Sequence, residues 1–305
     1  MELAIVLGSI LLTAALLRNR PPENMDPKLY PFGFSSEPNG IDRVLAMRTT
    51  GEDPRPHGKF VVDLLGLDRS KALIIEGVDV STSMRAAAQV FPGAQRDFAE
   101  RMLRDLGSRA TLVQFWCATR PRMVGPPGIR DRPLADYRCL TTEEMVKRGE
   151  DSLGILEPGS AISDWIRVLG EIALAAKAAG VPAVTLVLHT DGENQVSFGG
   201  EKWRPLSERL ARDTVRRMQR AGVAIRLIGV TPKTKEQGLR AFFRRVGTSE
   251  MKADGSGEAT VFAYTSGKPD SLHRAWTAWA TETSASVVGT MCGFPGRREP
   301  RNQSC

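Results

Sequence analysis

Ala72-Leu73-Ile74-Ile75-Glu76-Gly77-Val78 runs straight into Asp79-Val80-Ser81-Thr82-Ser83-Met84, and the reading of this stretch decides the fold. The first half is an apolar run broken only by Glu76, the composition of a strand buried on both faces of a parallel sheet. The second half sets Asp79, Ser81 and Ser83 at alternate positions, so an extended turn aims three oxygen-bearing side chains at one point. A second junction repeats the design: Ala183 to Leu188 is apolar and leads into His189-Thr190-Asp191-Gly192-Glu193-Asn194.

The chain around these junctions alternates between the two periodicities. Ala94 to Leu106 places Phe98, Met102 and Leu106 on one helical face, with Gly107 as a stop. Ala110–Phe115 reads as a strand, and Ser163–Ala179 as a helix with Ile166, Leu169, Ile172 and Ala176 on its stripe. After the Ala183 strand come a helix over Leu206–Arg220, a strand over Val223–Val230 and a helix over Lys235–Val246. A strand over Ala259–Tyr264 and a helix over Pro269–Thr281 complete the series. Such alternation predicts an α/β fold with a doubly wound, mostly parallel central sheet flanked by helices. Ligands of such sheets bind beyond the carboxyl ends of the strands, here in the loops leaving Val78, Leu188 and Val230.

Hydroxyls and carboxylates are hard oxygen ligands, suited to Mg²⁺ or Mn²⁺ and poor for softer metals. Ser, Thr and Asp clusters also cap helices, and Asp-Gly after a strand is an ordinary turn signal. Both motifs in order, each at the end of an apolar strand, are harder to obtain by chance. Together the Asp-x-Ser-x-Ser loop and the Thr-Asp-Gly loop resemble a von Willebrand factor type A domain, over roughly Gly58 to Thr283. The resemblance implies a metal-ion-dependent adhesion site formed by those two loops and a threonine on a loop between them. Asp79, Ser81, Ser83 and Asp191 match the family residue by residue. The threonine has no identical counterpart; Ser160, in Gly159-Ser160-Ala161-Ile162 ahead of a helix, is the candidate, and Ser163 the alternative. In this reading Ser81, Ser83 and Ser160 hold Mg²⁺ or Mn²⁺ directly, and Asp79 and Asp191 grip it through water. The ion keeps one position open for a Glu or Asp carboxylate of a protein partner.

The N-terminus differs in kind. Leu3 to Leu17 carries no charge and is nearly all apolar, with Glu2 before it and Arg18 and Arg20 after it. As a helix it spans roughly 22 Å, against a hydrocarbon core of about 30 Å. A membrane anchor, the apolar core of a cleavable signal peptide and a buried helix all fit that length. The charges favour an anchor with the following domain on the cytoplasmic side. Pro21, Pro22, Pro27, Pro31, Pro38, Pro54 and Pro56 then mark a tether. The expected organisation is an anchor over 1–20, a Pro-rich tether over 21–57 that could hold a short helical turn at Ile41–Met47, a domain over 58–286 and a flexible basic tail over 287–305.

Composition limits the alternatives. The 305 residues, 41% hydrophobic and 25% charged, allow one large globular domain or two small ones and exclude a fibrous or polytopic membrane protein. Four cysteines without a C-x-x-C pair and three scattered histidines exclude a zinc ribbon or a disulfide scaffold. No G-x-x-x-x-G-K-[ST] or G-x-S-x-G motif is present, so an enzyme is not expected. A Mg²⁺-dependent phosphoesterase with His189 as base is the rival reading, although His189 after a buried strand reads more simply as structural. The resemblance also permits a subunit that works beside an AAA-type ATPase. Trp165, Trp203, Trp276 and Trp279 read as core or boundary residues.

The net charge of +7 is concentrated: Lys202 to Arg245 holds 13 basic and three acidic residues. Arg209, Arg212, Arg216 and Arg220 form one helical stripe, opposite Leu206, Leu210 and Met218. The stripe is either a solvated face or a contact for anionic lipid or an acidic partner. Nucleic acid is not expected, since no aromatic interleaving or reading motif accompanies the charge.

Overall fold

The computed structural model describes residues 62, 67, 69–87, 90–106, 109–117, 121–124, 159–192, 194–195, 204–252 and 256–292. The expected anchor and tether, Gly107, Trp203 and the end of the basic tail lie outside them. No helix among the described residues is long and apolar enough to cross a membrane.

A six-stranded sheet organises the chain. Its strands are β1 (Ala72–Asp79), β2 (Ala110–Cys117), β3 (Pro121–Val124), β4 (Val184–Thr190), β5 (Ala224–Pro232) and β6 (Ala259–Tyr264). Its helices are α1 (Phe91–Leu106), α2 (Ile162–Ala178), α3 (Arg204–Arg220), α4 (Glu236–Arg245) and α5 (Pro269–Cys292). A short 3₁₀ turn spans Thr82–Ala87. The strand order is β3-β2-β1-β4-β5-β6. Five strands run parallel, and β3 alone is antiparallel, pairing Gln114 with Val124 and Cys117 with Pro121.

The apolar β1 sits in the middle because only a central strand buries both faces. Ile74 and Val78 face a core closed by Phe91, Phe98, Met102, Trp276 and Trp279 of α1 and α5. Leu73 and Ile75 face the opposite core, with Trp165, Ile166 and Leu169 of α2, Val215 of α3 and Phe242 of α4. Trp165, Trp276 and Trp279 are core residues, as their helical positions predict.

Three features differ from the sequence expectation. First, α5 continues to Cys292, so the boundary expected at 286 falls inside a helix whose Val287 is fully buried. The Thr- and Ser-rich run after Thr281 has weak helix propensity, but packing and Arg226 of β5 hold it. Arg226 donates to Ser286 Oγ at 2.6 Å and Thr290 Oγ1 at 2.8 Å. Second, β3 is a four-residue edge strand with no alternating pattern to reveal it. Third, the inner face of α3 consists of Ser207, Glu208, Ala211, Thr214, Val215 and Met218, whereas Leu206 and Leu210 are half-buried. Half of that face is polar, where it meets polar side chains of α2, while Ala211, Val215 and Met218 join the apolar core. Ser207 donates to Asp164 Oδ1 at 2.9 Å, and the Arg217 guanidinium pairs with Glu171. Gly170 permits the close approach: a methyl there would lie 2.5 Å from Thr214 Cγ2.

Candidate metal centre

Asp79 ends β1, and Ser81 and Ser83 follow on the turn into the 3₁₀ segment. Asp79 folds back on its own loop, accepting the Ser81 backbone N–H at Oδ1 (2.8 Å), the Asx-turn arrangement that aspartate favours. Its Oδ2 accepts the hydroxyl of Thr190, the last residue of β4. The same Thr190 Oγ1 accepts the Gly192 N–H at 3.2 Å, which fixes the turn that presents Asp191. Across the loops, Ser81 Oγ lies 2.8 Å from Ser83 Oγ, and Ser83 Oγ donates to Asp191 Oδ1 at 2.7 Å. Thr231 of β5 holds the Asp191 carbonyl at 3.0 Å.

Ser160 joins them from a third direction. A methyl carbon placed on Gly192 would lie 3.2 Å from Ser160 Oγ and 3.7 Å from Ser83 Oγ, so both hydroxyls border the space that this glycine leaves open. The alternative, Ser163, points elsewhere: its hydroxyl is 2.6 Å from Ser207 Oγ on α3. Asp79, Ser81, Ser160 and Asp191 are buried, while Ser83 is exposed and marks the solvent side. Three loops therefore bring all five sequence-selected residues together.

The electrostatics follow from burial. Desolvation raises the Asp79 carboxyl above its ordinary range, opposed by the hydrogen bonds from Thr190 and Ser81. Asp191 is pushed up to about 7, by burial first and then by the Asp79 charge. Burial, then the Asp79 charge, lifts the Cys117 thiol well above its usual value. The cation that helps Asp191 is Lys235, which is exposed. Two buried carboxylates beside three hydroxyls, all hard oxygen donors, fit a small divalent cation in chemistry and in charge. Among the described residues no group of three or more His, Cys, Asp or Glu side chains is placed to hold a metal ion.

Sequence reading missed Thr190, Gly192 and Asn194 as site residues, although all three stand in the second junction. Thr190 orients Asp79, and Gly192 keeps the space open. Asn194 Oδ1 accepts the Ser163 N–H at 2.9 Å, and the Gln195 N–H donates to the Ser160 carbonyl at 2.7 Å.

His189 is not in this crevice. It is fully buried on the α1 and α5 side, its ring centroid 4.9 Å from that of Trp279 and 6.0 Å from that of Phe91. Its Nε2 lies 3.4 Å from Oε1 of Glu76, a partner the sequence did not suggest. Glu76 is itself buried and accepts from Gln114 at 2.8 Å and Gln95 at 3.3 Å. The arginine stripe is also partly engaged. Arg212 donates to the Arg245 carbonyl, and Arg216 lies 3.8 Å from Asp213, which leaves Arg209 and Arg220 as its more available cations.

No family model matches the sequence, and no curated protein does. Among solved structures, a von Willebrand factor type A protein from Catenulispora acidiphila is 17% identical, with a TM-score of 0.42 over 71% of this chain and 43% of that one. The pilus adhesin SpaC from Lactobacillus rhamnosus GG, in its open conformation, is 10% identical, with a TM-score of 0.47 over 73% of this chain and 30% of that one. The PilB minor pilin from Streptococcus sanguinis is 9% identical, with a TM-score of 0.47 over 75% of this chain and 64% of that one. The chain spans less than two thirds of the length of each. The chain has an α/β fold, a mostly parallel sheet between helices with the Asp79-Val80-Ser81-Thr82-Ser83 and Thr190-Asp191-Gly192 loops at the carboxyl edge.

Proposed function

We propose that this chain is a protein-binding module that holds Mg²⁺, or Mn²⁺, at the strand ends and binds a partner through that ion. The observation that supports the reading is the cluster of the Ser81 and Ser83 hydroxyls with the Asp79 and Asp191 carboxylates, with Ser160 Oγ bordering the same space at Gly192. Neutral hydroxyls as direct ligands leave most of the ion's charge uncompensated, so a Glu or Asp of the partner completes its coordination. The two carboxylates hold bound water, and Thr190 keeps Asp79 turned toward it.

In the same proposal the Leu3–Leu17 run anchors the chain in a membrane, and the domain hangs from the 21–57 tether on the cytoplasmic side. Arg209, Arg216 and Arg220 then face an anionic leaflet. A thermal-unfolding titration with Mg²⁺ tests the metal reading. At about 100 times Kd, the ion stabilises the wild-type chain by about 2.7 kcal/mol and leaves Asp79→Ala unchanged. Equal responses in the two proteins would remove the site. A chain lacking residues 1–20 that stays folded and leaves the membrane fraction supports the anchor; one that aggregates shows the run to be a core helix.

A further inference from the structure

We propose that Asn194 is a positioning residue for the metal centre, stapling the Asp191 loop to the Ser160 loop, and that the Glu208–Arg245 pair sets its orientation. The proposal rests on the metal reading above and names residues that reading does not use.

The α2 helix begins at Ile162, and its N-cap residue, Ala161, has no side chain able to cap the free amides. Asn194 supplies the cap from a distance in sequence, through Oδ1 to the Ser163 N–H at 2.9 Å. The next residue reinforces the join, since the Gln195 N–H reaches the Ser160 carbonyl at 2.7 Å. The loop that follows Asp191 is thus tied to both sides of the α2 start, and Ser160 sits just ahead of it. On its other side the amide donates from Nδ2 to Glu208 Oε1 at 3.4 Å. Glu208 is held in turn by a forked contact from Arg245, with Nε to Oε2 at 2.7 Å and Nη2 to Oε1 at 3.1 Å. Asn194 and Glu208 are both buried.

The chemistry of the two neighbours fixes the amide. Ser163 offers a donor and Glu208 offers only acceptors, so a side chain of this size must accept on one end and donate on the other. Asparagine does both. Aspartate keeps the cap but sets a carboxylate against Glu208, and alanine does neither. A chain of contacts therefore runs from α4 through α3 to the point where two ligand-bearing loops meet. Outer partners of this kind typically set metal affinity by 10–100-fold.

The test uses the full chain and four proteins: wild type, Asn194→Ala, Asn194→Asp, and the double variant Asn194→Asp with Glu208→Gln. The double variant reverses the polarity of the contact and conserves net charge. Its new amide on α3 can donate to the new carboxylate on the loop, while the carbonyl of that amide still accepts from Arg245. Mg²⁺ affinity by calorimetry is expected to weaken about 10-fold or more in both single variants and to return toward wild type in the double variant. Hydrogen exchange at the Ser163 amide without metal should speed up in Asn194→Ala and slow again in the double variant. Wild-type affinity in both single variants, or no recovery of affinity in the double variant, overturns the positioning role. A wild-type chain with no Mg²⁺ affinity overturns the metal reading instead, and the two failures are distinct.

Discussion

Ser83 Oγ donates to Asp191 Oδ1 at 2.7 Å, joining residues 108 apart in sequence at the mouth of the crevice. The bond ends a line of hydroxyls, Ser81 Oγ beside Ser83 Oγ at 2.8 Å and Ser83 Oγ on the Asp191 carboxylate. In the proposed metal centre a cation would take over these lone pairs. Ser83→Ala is therefore expected to leave the fold intact, because Ser83 is exposed, and to remove most of the Mg²⁺-dependent gain of about 2.7 kcal/mol at 100 Kd. Circular-dichroism melts with and without Mg²⁺ check this. A Mg²⁺ shift equal to wild type would take Ser83 out of the ligand set.

In the proposed metal centre, proton and Mg²⁺ would compete at Asp191, whose carboxyl is pushed from 3.8 to about 7 by burial and the Asp79 charge. Below that pH the folded, metal-free chain keeps the Asp191 proton, which Mg²⁺ must displace. Affinity should therefore rise with pH up to about 7 and flatten above it. The stability of the metal-free chain moves the opposite way. Between about pH 4 and 7 the folded state binds this proton and the unfolded state does not, so this group's contribution falls as pH rises. Asp191→Asn should flatten that slope in urea titrations across the same range.

Gly170→Ala tests the α2–α3 contact. Alanine is the better helix former by about 1 kcal/mol. Its methyl would meet Thr214 Cγ2 at 2.5 Å and Met218 at 3.2 Å, between two helices fixed by the Arg217–Glu171 ion pair. Overpacking of this kind costs about 1–3 kcal/mol, and the clash should win. A urea midpoint above wild type would show that α3 can move aside.

The basic helix face predicts salt-sensitive membrane contact. A chain lacking residues 1–57 should bind anionic vesicles at low ionic strength and release them as salt shortens the Debye length to about 8 Å. Replacing Arg209, Arg216 and Arg220 with Gln should weaken binding; Arg212 is best left, since it donates to the Arg245 carbonyl between helices. Equal cosedimentation with neutral and anionic vesicles would return the face to an ordinary solvated one.

Whatever depends on local pattern is legible in the chain. The apolar runs mark five of the strands within two residues at each end, because a buried parallel strand admits few polar residues. Asp79, Ser81, Ser83 and Asp191 stand out because Asp-x-Ser-x-Ser and Thr-Asp-Gly lie at strand ends, whereas Ser160 lies in neither motif. What depends on tertiary pairing is hidden. Glu76 reads as an interruption until His189, Gln95 and Gln114 surround it. The end of α5 escapes notice because Arg226, on a different element, satisfies Ser286 and Thr290. The inner face of α3 reads as the apolar one, yet half of it is polar, and Ser207 there donates to Asp164 of α2. Asn194 acts through a backbone amide 31 residues away, a contact without a sequence signature.

The central place of β1 has a consequence for the nascent chain. Ala72 finds its β2 partner, Ala110, early, but Leu73 must wait for Val184 on the other side. At a synthesis rate of about 5–20 residues per second, one edge of an apolar strand stays open for on the order of ten seconds. An open apolar edge is a template for the same strand of a neighbouring nascent chain. Glu76 sits in the middle of that template. Stacked in register on another ribosome's product, its carboxylate would meet an identical charge with no Gln114 or His189 beside it. A residue that needs so many partners in the finished sheet thus guards the unfinished one against its own copies.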